Sequence, residues 1–75
     1  MKSSSESERT LQMAVAGIPR VAQAIAAIPV EDRPRALEAA ERSYCRTALD
    51  VGYGEAQAEG WAAALMSQLR AEMER

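Results

Sequence analysis

The chain contains neither histidine nor phenylalanine. Without histidine it lacks the side chain that most often serves as an acid–base catalyst near neutral pH and as a zinc ligand. A single cysteine, Cys45, excludes an intrachain disulfide. Aromatic residues are only 4% of the sequence, so the bulk of a core has to come from aliphatic side chains. Basic residues do not outnumber acidic ones. The formal net charge is −2, which provides no electrostatic footprint for nucleic acid. No apolar run is long enough for a membrane span, because the longest is broken by Arg20. Near the N-terminus Glu6 and Glu8 stand beside Lys2 and Arg9, which is not the pattern of an export signal. With its lone cysteine the chain is expected in a reducing cytoplasm. Its basic residues are almost all arginine, which points to a GC-rich, bacterial coding sequence.

What is present is an ordinary globular composition, 48% hydrophobic and 27% charged, over 75 residues. That length allows one domain with a thin stability margin, of the kind often supplemented by oligomerisation. No stretch alternates as a strand would, whereas apolar residues recur at steps of three and four. The expected fold is all-α, a small bundle of three helices in antiparallel arrangement. Residues 1–7, rich in Ser and Glu, read as a flexible tail, and 8–75 as a single helical domain. Ser5 or Ser7 is placed to cap the first helix, and with Ser5 as cap Glu8 completes a capping box.

The first helix is predicted over Glu8 to Ile28, with Leu11, Val15, Ile18, Ala22 and Ile25 along one stripe. Gly17 and Pro19 interrupt it, and a kink or a break is expected there, because proline loses a backbone hydrogen bond and clashes with the preceding turn. Between Leu11 and Val30 the only charge is Arg20. A helix so apolar around its circumference needs cover on more than one side, which points to a homodimer or a protein partner. Pro29 ends this helix. The second opens at Val30 or Asp32, tolerates Pro34 in its first turn, and carries the stripe Leu37, Ala40, Tyr44, Ala48 and Val51. Tyr44 is expected to bury its ring and keep its hydroxyl wet. Glu31–Arg35, Glu38–Arg42 and Arg46–Asp50 lie four residues apart on the polar face. Gly52, Tyr53 and Gly54 form a turn, with Gly52 as the C-terminal stop and Gly54 as a weak N-cap. The third helix is predicted over Glu55 to Met73, with Ala58, Trp61 or Ala62, Leu65, Leu69 and Met73 facing inward. Gly60 lowers its helix propensity or admits a neighbouring backbone.

From Thr47 to Trp61 the pattern resembles the helix-turn-helix class. Ala48 stands where two helices would cross, Gly52 at the turn, Val51 and Tyr53 as apolar flanks, and Ala58 and Trp61 on the buried face. The resemblance implies a small DNA-binding regulator, which is the alternative reading. Against it, the outward residues of the second helix are Glu55, Ala56, Gln57, Glu59, Gly60 and Ala63, which carry no arginine or lysine to meet base edges or phosphates.

Cys45 has no histidine to activate it, and the carboxylates have none to complete a bridged metal site. Gly52 and Gly54 form no phosphate loop. No catalytic, cofactor-binding or metal residue is therefore assigned, and no small-molecule ligand is expected. The expected role is non-enzymatic: protein–protein interaction or self-association through apolar helix faces. The interface residues expected are Leu11, Val15, Ile18, Val21, Ile25, Trp61 and Met66.

Overall fold

A computed structural model describes residues 4–74 and is all-helical, with no strand among them. The order is α1 (Ser4–Ala16), α2 (Ile18–Ala26), a 3-10 turn at Val30–Asp32, α3 (Arg33–Asp50) and α4 (Glu55–Met73). α1 and α2 are consecutive pieces with only Gly17 between them. The backbone ladder bridges that residue, since the Gly17 N–H donates to the Met13 carbonyl and the Val21 N–H to the Gly17 carbonyl, each at 3.0 Å. No described helix is long and apolar enough to cross a membrane.

α1 begins earlier than predicted. Ser4 to Ser7 are already helical, so Ser5 is not the cap of a box with Glu8. The rest of the expected tail, residues 1–3, lies outside the described residues.

The linker from α2 to α3 has a specific clasp. Arg33, the first residue of α3, turns back so that its Nε donates to the Ile28 carbonyl at 3.2 Å and its Nη2 to the Ala26 carbonyl at 2.8 Å. These are carbonyls at and just beyond the end of α2, where a helix has unpaired acceptors and favours a cation. The Asp32 N–H donates to the Pro29 carbonyl at 2.9 Å and closes the intervening turn. Arg33 is thus a side-chain cap for the end of α2.

The turn from α3 to α4 is set by glycine. Gly52 has φ 105°, a backbone conformation that residues with a Cβ rarely adopt. The Tyr53 N–H donates to the Ala48 carbonyl at 3.0 Å and the Gly52 N–H to the Leu49 carbonyl at 3.0 Å. That pair of bonds is a Schellman motif, which satisfies the last carbonyls of α3. α4 then starts with half of a capping box. The Gly54 N–H donates to Gln57 Oε1 at 3.3 Å, and glycine has no side chain to return the bond.

The register follows from shared grooves. Glu41, Arg42 and Cys45 of α3 meet Glu59 and Ala62 of α4, while Pro34, Leu37 and Glu38 meet Met66 and Arg70. As numbering falls in one helix it rises in the other, so α3 and α4 form an antiparallel hairpin. The first rod runs in the same sense as α4: Val15 and Ile18 lie near Gln68 and Ala71, and Ala22 and Ala26 near Glu72 and Met73.

The buried hydrophobic residues are Ile18, Ala22, Ile25, Tyr44, Ala48, Ala58, Ala62, Leu65, Met66 and Leu69. α4 supplies five of these ten, which makes it the centre of the bundle. α1 supplies none of them and rests mainly against α3. Gly60 faces open space, with nothing within 4 Å of where a Cβ would stand. The close approach of a neighbouring backbone, one of its two sequence-based readings, is absent within the chain.

Two outcomes are expected. Gly60→Ala should raise stability by about 1 kcal/mol through helix propensity, read as a higher midpoint in urea with an unchanged slope. Arg33→Met, which keeps the stem and removes the donors, should lower stability by about 1 kcal/mol, read in the same titration.

Candidate interaction surface

The expected interface residues separate into two groups. Ile18, Ile25 and Met66 are buried within the single chain at 2%, 6% and 4% exposure, so they offer no surface to a partner. Leu11, Val21 and Trp61 are half-buried, and Val15 is exposed. The stripe read from the sequence as a contact between chains is therefore in large part the contact between the first rod and α4. Sequence periodicity identifies a face that needs covering but not whether the cover comes from the same chain.

Met13 is the most exposed large hydrophobic among the described residues, at 69%. Val30, Leu49 and Val15 are the other exposed large hydrophobics. Val30 stands in the 3-10 turn and Leu49 near the end of α3.

Trp61 and Tyr44 meet edge to face, with ring centroids 6.2 Å apart and planes at 87°. Such a pair contributes about 0.5–1.5 kcal/mol beyond its buried area. Tyr44 departs from the sequence reading in one respect. Its hydroxyl is buried with no hydrogen-bond partner, rather than wet. The helix seam closes over the whole ring, because Trp61 is half-buried and covers Tyr44 from α4. Burial pushes the Tyr44 hydroxyl above its ordinary value of 10.0.

Cys45 is half-buried in a groove of about 390 Å³ with Glu41, Arg42, Glu59 and Ala62. The groove mixes charges of both signs, from Glu41 and Glu59 on one hand and Arg42 on the other. Among the described residues no three Cys, Asp or Glu side chains converge as a metal site would require.

The corner that resembles a helix-turn-helix has both of its small residues, Ala48 and Ala58, fully buried. The helices that meet there nevertheless pack along their lengths as an antiparallel hairpin. A helix-turn-helix instead crosses at about 90–120° to present its second helix. Glu55, Gln57 and Glu59 are exposed on α4 as expected from the sequence. Comparison with family models, with curated proteins and with solved structures gives no match.

Tyr44→Phe should raise stability by about 1 kcal/mol, because it deletes a buried hydroxyl that makes no bond, and should shift the midpoint upward by about 4–8 °C. The sign of the alkaline effect follows from the raised folded-state pKa. Below the unfolded value both states keep the proton and stability is unaffected. Above about pH 10 the unfolded chain releases it first, so stability falls as pH rises. The Tyr44 contribution to that fall should be missing from thermal melts of the Phe variant.

Proposed function

We propose that the chain is a non-enzymatic interaction protein that acts by self-association, with the exposed side of its first helical rod as the contact. The observation that carries the reading is the unequal burial of the helices. α1 contributes nothing to the buried set, yet it presents Met13 at 69% exposure and Val15 at 39%. Met13 stands on the side of the rod turned away from α4, whereas Val15 borders the groove with Ile18, Gln68 and Ala71, so Met13 alone marks the surface. The inward side of the same rod is already engaged through Ile18, Ala22 and Ile25. The surface proposed is therefore the opposite side, and it is smaller than the face read from the sequence.

A bend of the rod near Pro19 belongs to the same reading. Pro19 has no N–H for the Val15 carbonyl, and a helix relieves such a gap by bending. The bend sets the direction in which α1 leaves the α3–α4 hairpin. A cytoplasmic homodimer is the form proposed, with a different protein as partner if the chain alone remains monomeric.

Static light scattering across the micromolar range should show mass rising with concentration. Met13→Glu should abolish the rise while circular dichroism shows unchanged helicity. A clean, well-folded monomer that binds no hydrophobic dye would sink the proposal.

A further inference from the structure

We infer that two copies of the chain pair through the outer faces of α1 in antiparallel order, about a twofold axis at Met13; this rests on the self-association reading above. Glu6, Met13, Arg20 and Ala27 recur every seven residues and are all exposed. A seven-residue repeat keeps side chains on nearly one line of a helix, drifting by about 20° per step. The bonds on either side of Gly17 bridge the junction, so α1 and α2 keep one helical phase and the line stays on the same face even where the rod bends at Pro19. It lies away from Leu11, Ile18 and Ile25, which turn toward the rest of the chain.

The order along this line is acid, apolar, base. A twofold contact presents the same patch on both sides, so the patch must complement itself. Antiparallel pairing about Met13 sets each residue against the one equally far on the other side. Glu6 then meets Arg20 of the second copy, and the pair occurs twice, once on each side of the methionines. Seven residues of helix rise about 10.5 Å, so each ion pair stands about two turns from the axis. Beside the axis, Ala16 meets Thr10, and Gly17 leaves room for the long side chain of Arg9.

Parallel pairing reverses the electrostatics, because it sets Glu6 against Glu6 and Arg20 against Arg20. Like charges in contact are unfavourable and are a common means of selecting orientation. Arg20 is the only charge in the long stretch from Leu11 to Val30, so the choice of its position dominates the pattern. Glu6 already has an interaction within its own chain. A carboxylate accepts more than one donor, so a contact with the second copy adds to it. One helix pair is smaller than a standard interface of about 1,600 Å², which places the association in the micromolar range or weaker.

The test uses the full chain carrying Cys45→Ser, followed by sedimentation velocity and oxidative cross-linking. Arg20→Glu should weaken association by about tenfold or more, as should Glu6→Arg. The double variant Glu6→Arg, Arg20→Glu should restore it. Met13→Cys should oxidise to a linked dimer, whereas Ala27→Cys, far from its own symmetry mate, should not. Equal cross-linking at both positions, or charge reversals that the double variant fails to rescue, would overturn the antiparallel pairing and leave self-association standing. A chain that is monomeric at every concentration would overturn both.

Discussion

The structure depends on how closely α4 lies against its two neighbours. A chain without phenylalanine cannot fill wide gaps between helices, and among the described residues the large side chains most fully buried are Leu69, Ile18 and Leu65. The gaps must therefore be narrow. Alanines at Ala22, Ala48, Ala58 and Ala62 make them so, each buried where a larger residue would hold the helices apart. Burying a bulky aliphatic side chain contributes about 1.5–3 kcal/mol, and alanine contributes less. Close packing compensates through contact density rather than through side-chain size. The cost is tolerance, since adding volume along such a seam strains it.

Both connections hold this packing in place, and they do so by opposite means. At the α3–α4 turn the backbone itself satisfies the helix end, and glycine is needed because φ reaches 105°. At the α2–α3 turn a side chain does the work, with Arg33 reaching back to two carbonyls. The first fixes the hairpin. The second fixes the angle at which the opening rod returns to it.

How much of this was legible follows from the range of each signal. Helix periods and glycine turns are local, so α4 could be bounded at Glu55 and Met73 from the sequence, and Gly52 named as the stop. The start of α1 was misplaced because serine favours caps and frays, whereas here Ser4 to Ser7 simply extend the helix. Arg33 was unreadable because its partners are set by how the chain folds back across Pro29. The same limit applies to Ile18, Ile25 and Met66. Their apolar character was plain, but their burial inside one chain is a tertiary fact. Tyr44 shows the reverse error. The rule that buried hydroxyls find partners is general, and the seam around Tyr44 violates it.

That violation and the exposure of Met13 have a common origin. A core with little bulk is kept dry by pressing helices together, and the pressing closes over the Tyr44 hydroxyl without leaving room for a partner. It also draws the apolar surface available to the bundle into the α2–α4 and α3–α4 seams, so little remains to anchor α1. An element with few buried contacts sits at the low end of local stability. In the self-association reading, a second copy would supply the missing contacts, and association would then stabilise α1 by mass action. Folding of the first rod and pairing of the chains would be linked equilibria. The helicity of α1 would then report on protein concentration, while that of the α3–α4 hairpin, held by its own seam and its Schellman turn, would not.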